Sequence, residues 1–287
     1  MNVLDKIIIA CKPFVLFNAL VISLLSVTTS GNYSNAFLLV LSGVLASAFV
    51  YFFNSFNDIK EDMINESAEN ILSSDYERRV SIIVLGFFLF FALFLSFISS
   101  ISSFFVVIAI LLLGFFYSFK IKGFRFKEIP LLKNVIISFG WGLLFFIGST
   151  SLNFINIFWF LFIFVIFFNF GSIADIRDIQ GDISTGIKTF SFMIGVRNII
   201  YLLIIINLLS ILFILYGIYV GALPFYLILT IFIMAIISGG LIAGFKHGVK
   251  GNDIKKINYK LWRHIHATIM KLTAVLILLI ACLNFLM

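Results

Sequence analysis

Apolar runs long enough to cross a bilayer recur along the whole chain, and that recurrence leaves few folds open. Nine runs can be read, at approximately 13–30, 36–56, 79–98, 101–118, 133–151, 154–173, 196–217, 222–244 and 266–286. Each is roughly 18–23 residues long, against about 20 needed to cross the hydrocarbon core. Backbone groups in lipid must be satisfied within their own segment, so the runs are read as helices. Of the 287 residues, 62% are hydrophobic and 11% charged. This composition excludes a soluble domain and predicts an all-α, polytopic membrane protein forming one integral-membrane domain over 1–287. The two cysteines, Cys11 and Cys282, sit in apolar sequence near opposite ends and suggest neither a disulfide framework nor a metal site. No small-residue cleavage site follows the first run, so that span is expected to be retained.

Charge placement tests the span count. Nine spans put the N-terminus and the regions 57–79, 119–133, 174–197 and 245–265 on one side. Every Asp and Glu lies in that set, and so does every Lys and Arg except Lys271, just inside the last run. The opposite turns carry no charged side chain. Lys and Arg in short loops mark the cytoplasmic side, so the N-terminus and the charged loops are expected to be cytoplasmic in a multi-pass cell-membrane protein. The net charge of +7 is therefore a topology signal. It predicts attraction to anionic lipid headgroups and no nucleic-acid partner.

Two acidic stretches stand out within those loops. Asn54–Asp62 follows the second run and Asp175–Asp182 follows the sixth. On a helix, Asn54, Asp58 and Asp62 share one face, and Asp178 and Asp182 share another with Asp175 one turn earlier. Asp58 and Asp178, like Asp62 and Asp182, lie 120 residues apart. The echo suggests two four-helix halves plus a ninth helix, with the two stripes facing each other. Carboxylates crowded in a partly desolvated place repel unless a cation binds. Oxygen-only donors suit Mg²⁺, which takes one or two carboxylates and completes its shell with water and substrate phosphate.

Basic residues share the same loops. Lys120, Lys122, Arg125 and Lys127 follow the fourth run beside Tyr117, Lys188 follows the second acidic stretch, Lys12 precedes Pro13, and Lys133 and Asn134 open the fifth run. Lysine neutralises phosphate as a point charge. Lys120 and Lys188 rank first because they adjoin other candidate residues. The 38 Phe residues can face lipid or line a channel for a long hydrocarbon tail. Together these parts fit a substrate with a diphosphate head and an isoprenoid tail. Metal ions would stabilise the departing diphosphate, aromatic faces the allylic cation left behind, and an apolar cavity would keep water out.

In order and spacing the motifs resemble those of the UbiA-type intramembrane prenyltransferases, which have nine transmembrane helices and Asp-rich motifs after helices two and six. The first motif, usually Asn-Asp-x-x-Asp-x-x-x-Asp, is matched by Asn54-Ser-Phe-Asn-Asp58-Ile-Lys-Glu-Asp62, with Ser55 at the second position. A register starting at Asn57 would instead use Glu61 and Asn65. Asp178-Ile-Gln-Gly-Asp182 matches the second motif, with Gly186-Ile-Lys188-Thr189 downstream, and Tyr117-Ser-Phe-Lys120 matches a Tyr-x-x-Lys element after helix four. The resemblance implies that Asn54, Asp58, Asp62, Asp178 and Asp182, with Asp175 in addition, hold Mg²⁺ or diphosphate, and that Lys120, Lys188, Tyr117, Lys122 and Lys12 contact substrate. Where many relatives carry an Arg-Pro-Leu-x-Ser-Gly segment, this chain has Glu69-Asn-Ile-Leu-Ser-Ser74. Tyr117-Ser-Phe-Lys-Ile-Lys122 is similar to archaeal lipid-forming members, which transfer geranylgeranyl to a glyceryl phosphate ether. The expectation is an Mg²⁺-dependent membrane prenyltransferase that takes a polyprenyl diphosphate and a lipophilic or aromatic acceptor. A quinone-type aromatic-ring prenyltransferase, a cation-coupled transporter and a non-catalytic prenyl-diphosphate-binding paralogue are the alternatives.

Overall fold

The computed structural model describes residues 3–58, 74–120, 125–149, 151–184, 189–249 and 257–286. Among these, secondary structure is helical apart from one isolated bridge between Val249 and Ile257. The helices are α1 (Val3–Ala10), α2 (Pro13–Ser30), α3 (Ala36–Asn57), α4 (Asp75–Ser99), α5 (Ile101–Ser118), α6 (Leu132–Leu144), α7 (Phe154–Ser184), α8 (Phe190–Ile194), α9 (Val196–Tyr219), α10 (Leu229–Gly248) and α11 (Tyr259–Leu286). Eight helical segments are long and apolar enough to cross a membrane, and a shorter apolar segment, Leu132–Ile147, stands where the fifth span is expected. The protein is a multi-pass, all-α membrane protein. Two helices go unforeseen by apolar runs: the short α1, and α8, whose N-cap Thr189 accepts from the Phe192 N–H. A turn at Lys12, whose φ of 52° is left-handed, separates α1 from α2, and Pro13 opens α2.

The fifth span is short for a readable reason. After Leu144 the chain tightens into a 3₁₀ turn, Phe145–Ile147. Hydroxyls of neighbouring helices satisfy the backbone groups this frees. Ser26 of α2 donates to the Phe145 carbonyl and accepts from the Gly148 N–H, and Ser103 of α5 donates to the Ile147 carbonyl at 2.7 Å. Irregular backbone at membrane depth is tolerated only where protein supplies such partners.

The chain forms two compact units, 1–127 with 143–151, and 128–142 with 152–286. The sequence echo predicts two halves and an odd ninth helix. The fifth segment is divided between the units, and α11 packs inside the second. In the first unit α3 is the hub, in contact with α2, α4 and α5. Its buried face is lined by Ser42, Gly43, Ala46, Ser47 and Ala48, small residues that let backbones approach closely. A Cβ at Gly43 would come within 2.5 Å of Ser23 Oγ. Ser74 caps α4 with a capping box: its hydroxyl accepts from the Glu77 N–H, while the Glu77 carboxylate accepts from the Ser74 N–H.

In the second unit α7, α9, α10 and α11 close a ring of neighbours: α7 touches α9 and α11, and α10 touches both α9 and α11. The sequence admits a break at Gly239-Gly240, but α10 runs through it unbroken. Gly240, Gly244 and Gly248 make a stripe against Ile269, Ile265 and the fully buried Trp262 of α11. The cause is packing room for an indole. Asn169, Asn207 and Ser238 hydrogen-bond across α7, α9 and α10, with the Asn169–Asn207 contact at 2.9 Å. Such polar contacts hold helices together in lipid, where apolar surface provides no driving force.

A Cβ at Gly244 would meet Trp262 Cη2 at 2.5 Å, while one at Gly239 meets nothing within 4 Å. Gly244→Ala is therefore expected to destabilise the folded protein by about 1–3 kcal/mol, and Gly239→Ala to leave it unchanged. Thermal unfolding in detergent, followed by tryptophan fluorescence, separates the two.

Candidate functional site

The first acidic group sits where α3 stops. α3 ends at Asn57, and Asp58 is its C-cap, with the Asp58 N–H donating to the Asn54 carbonyl at 3.0 Å. The predicted helical stripe therefore extends only from Asn54 to the cap, and Asp62 lies outside the described residues. A carboxylate at a helix C-terminus meets the negative end of the helix dipole, which disfavours it by about 0.3–1 kcal/mol. Asp58 is also buried, 6% exposed. Two cations answer this charge. Lys127 Nζ lies 2.5 Å and Arg125 Nη1 3.2 Å from Asp58 Oδ1. Lys127 is itself buried, in the 3₁₀ turn Phe126–Glu128. Asn54 Oδ1 accepts from Ser118 Oγ at 3.0 Å, which ties the end of α3 to the end of α5. Beside it, Phe53 stacks between Phe49 (5.6 Å between ring centroids) and Phe115 (5.8 Å), and Phe115 stacks on Phe119.

Ser55, which replaces the usual aspartate of the motif, faces elsewhere. Its hydroxyl donates to the Ala10 carbonyl at 3.1 Å. It thereby satisfies a backbone acceptor left over at the end of α1. α1 is also held by Lys6, whose ammonium is 2.6 Å from the Glu77 carboxylate at the start of α4. The departure at Ser55 is thus part of how α1 is seated.

Of the other residues singled out in this unit, Tyr117 is half-buried near the end of α5 and Lys120 is exposed just beyond it. Lys12 is exposed at the α1–α2 turn, with its ammonium 5.8 Å from the Tyr51 ring centroid. Lys122 and Lys188 lie outside the described residues. Asp58 forms ion pairs with Arg125 and Lys127, which the sequence reading ranks below Lys120.

The second acidic group lies on one helix. α7 continues past its apolar window, Phe154–Ile179, to Ser184, so Asp175, Asp178 and Asp182 share a side of its last three turns. Asp175 is 1% exposed. Its carboxylate meets Lys133 Nζ at 2.8 Å and Asn134 Nδ2 at 2.9 Å, and the same ammonium is 4.0 Å from Asp182. Asn134 also donates to Ser172, and Gly171 leaves room for its amide. Asp178, the most open of the three, is gripped by both sides of the Arg177 guanidinium, with Nε 2.7 Å from Oδ1. Arg177 Nη1 is 3.2 Å from His266 Nδ1 on α11. Arginine can only donate, so His266 Nδ1 accepts and a neutral ring carries its proton on Nε2. That contact binds His266 into the structure and leaves Nδ1 no part as a base. Arg177 had a signal in the sequence: it stands directly between two acidic residues of one helical face.

Both donor sets consist of carboxylate oxygens at helix C-termini. Among the described residues no three His, Cys, Asp or Glu side chains converge on one point. Such sets do not form a closed protein cage. They fit Mg²⁺, which binds through one or two carboxylates and leaves the remaining positions to water and phosphate.

The model of the UbiA prenyltransferase family matches residues 15–264. No curated protein sequence matches. A solved structure of a digeranylgeranylglyceryl phosphate synthase superposes with a TM-score of 0.70 at 17% identity, covering 98% of this chain and 99% of its own. A UbiA homolog from Archaeoglobus fulgidus bound to GPP and Mg²⁺ gives 0.66 at 16% identity, covering 98% and 100%. The same homolog bound to DMAPP and Mg²⁺ gives 0.64 at 15%, covering 95% and 99%. At these identities the likeness establishes the fold.

Restoring the motif's usual residue is expected to harm this chain. Ser55→Asp would bury a carboxylate against the Ala10 carbonyl. It should lower the detergent melting temperature by more than Ser55→Ala, which loses one hydrogen bond of about 1 kcal/mol. A stability gain in Ser55→Asp would show that the seat of α1 is wrongly described.

Proposed function

The chain belongs to the UbiA prenyltransferase family, and we propose that it transfers a polyprenyl group from its diphosphate to a lipophilic acceptor, using Mg²⁺. The observation that carries the reading is the pair of carboxylate groups at the C-terminal ends of α3 and α7, each already flanked by basic side chains. The family match runs through both units, which supports treating them as one membrane-embedded enzyme. Solved relatives of the same fold hold Mg²⁺ with GPP or DMAPP. A cation-coupled transporter accounts for none of this.

In this reading Asp58 and Asn54 serve the metal and diphosphate from α3, and Asp178 and Asp182, with Asp175 behind them, serve from α7. Asp62 takes the further position that the motif gives it. Bound Mg²⁺ would supply positive charge as the allylic carbon–oxygen bond breaks and diphosphate departs. The chain's residues hold and orient the rest. Arg125, Lys127, Lys133 and Arg177 are cations within reach of those carboxylates. Tyr117, Lys120, Lys122, Lys188 and Lys12 are further phosphate or headgroup contacts. Asn134 fixes the Asp175 carboxylate in one orientation. The stacked Phe49, Phe53, Phe115 and Phe119 begin one residue from Asn54 and offer aromatic faces to an isoprenoid tail and its allylic cation. The acceptor's nucleophile then bonds to the allylic carbon and gives up a proton. The charge asymmetry of the loops supports a cytoplasmic N-terminus and cytoplasmic metal groups.

For the acceptor we favour a glyceryl phosphate ether, with geranylgeranyl as donor. The similarity of Tyr117-Ser-Phe-Lys-Ile-Lys122 to lipid-forming members supports it, as does the fold shared with a digeranylgeranylglyceryl phosphate synthase. Purified protein given labelled geranylgeranyl diphosphate, Mg²⁺ and the ether should yield labelled lipid, and EDTA should abolish the product. Asp178→Asn and Asp182→Asn should each lower kcat by about 10²-fold or more. Label moving only into aromatic acceptors would shift the assignment to a quinone-type enzyme.

A further inference from the structure

Asp58 does not wait for a metal with its charge unanswered. It is buried at the C-cap of α3, and among the described residues Lys127 and Arg125 both reach the same oxygen, Oδ1. Lys127 is the closer of the two, at 2.5 Å, and its side chain is as buried as the carboxylate, 8% exposed for each. Arg125 is longer at 3.2 Å and slightly more open. A divalent cation arriving at Asp58 therefore meets an ammonium in contact with its ligand atom. Lys127 and Arg125 already share this oxygen, and a divalent cation added beside them would meet their combined repulsion, because Coulomb energies grow as the dielectric falls. A buried ammonium deprived of its carboxylate must find another anion. Lysine suits such a transfer: its charge is compact, carries three donors and sits on a four-carbon stem that can swing, whereas a guanidinium fork is set in one plane.

We propose that Lys127 is a competing counter-ion for Asp58, one that exchanges the carboxylate for a diphosphate oxygen when Mg²⁺ binds. This rests on the prenyl-diphosphate reading above. Its consequence is coupling. Mg²⁺ alone must compete with Lys127 for Asp58 and, on displacing it, separates a buried ammonium from this carboxylate. Diphosphate alone finds Lys127 already occupied. The two together satisfy every charge, so each raises the affinity of the other by the same factor. Lys127 is a positioning residue in this account, acting on the order in which metal and substrate settle. The second unit repeats the arrangement independently, with Lys133 2.8 Å from Asp175 and 4.0 Å from Asp182.

The test reads metal binding and needs no turnover. Mg²⁺ is titrated by calorimetry into the full-length protein in detergent, alone and with geranylgeranyl thiolodiphosphate, a non-reacting donor analogue. In wild type the analogue should tighten Mg²⁺ by about 5–150-fold, the usual range of coupling between sites. Lys127→Gln keeps a hydrogen-bond donor for Asp58 and removes the charge. It should bind Mg²⁺ alone at least fivefold more tightly than wild type while binding the analogue more weakly, with the coupling reduced. Lys127→Arg keeps the charge and should bind Mg²⁺ alone as weakly as wild type, but with less of the coupling, because the planar fork exchanges partners less readily. Lys133→Gln provides the same opposed pair of changes in the second unit if Lys127→Gln does not fold, as judged by its melting curve. A folded Lys127→Gln whose Mg²⁺ affinity is unchanged or weaker, in a protein that still transfers prenyl groups, overturns the counter-ion role alone. Wild type that binds neither Mg²⁺ nor the analogue overturns both this role and the proposed function.

Discussion

A carboxylate at the C-terminal end of a helix faces the wrong end of the helix dipole, and burial there raises the cost further. This chain does it twice, at Asp58, the C-cap of α3, and at Asp182 in the last turn of α7, with Asp175 buried about two turns earlier on the same helix. Each placement requires a nearby cation, and much of the surrounding structure supplies one. The turn after α5 brings Arg125 and Lys127 back to Asp58. The start of α6 brings Lys133 and Asn134 to Asp175. Arg177 serves Asp178 from the adjacent position and is steadied by His266. Negative charge gathered at helix ends in this way is what a divalent cation and a diphosphate, taken together, would complete.

The hydrocarbon part of each unit makes those ends rigid by different means. In the first unit a helix lined with Ser, Gly and Ala lets three neighbours approach closely, and serine hydroxyls cap the broken end of the fifth span. In the second, a glycine stripe admits Trp262, and two asparagines and a serine hydrogen-bond across three helices. Neither unit depends on the hydrophobic effect between helices, which lipid removes. Close packing and interhelical hydrogen bonds replace it. The many phenylalanines consequently divide. Phe87, Phe90, Phe94 and Phe97 are exposed along α4, the bland lipid-facing use. Phe49, Phe53, Phe115 and Phe119 form a stack beside the acidic cap.

The motif departures take on physical meaning in this setting. Ser55 gives up a carboxylate and gains the seat of α1, through the Ala10 carbonyl. The aspartate that relatives carry there would have no cation in that pocket among the partners seen for Ser55. The first motif is therefore reduced by one carboxylate for a local reason of packing, while Asp58 keeps two cations around it. The segment Glu69–Ser74 lacks the arginine common in relatives, whereas Arg125 and Lys127 bring positive charge to Asp58.

The sequence by itself determined the class and the helical spans, because lipid imposes a length and charge rule on every segment independently of its neighbours. Runs at 13–30, 101–118 and 196–217 coincide with α2, α5 and α9 to within two residues. The two acidic stretches were legible because their spacing repeats after equivalent spans. Tertiary structure alone decided three things. It ended α3 at Asn57 and carried α7 on to Ser184, since a helix stops where its carbonyls find other partners. It broke the fifth span at Leu144, where Ser26 and Ser103 stand ready. And it chose Lys127, Arg125 and Lys133 over Lys120 as the partners of the acidic groups, because spacing does not say which lysine of a loop folds back. In the opening stretch of the acidic motif the sequence thus located the charge, and packing settled which cation answers it.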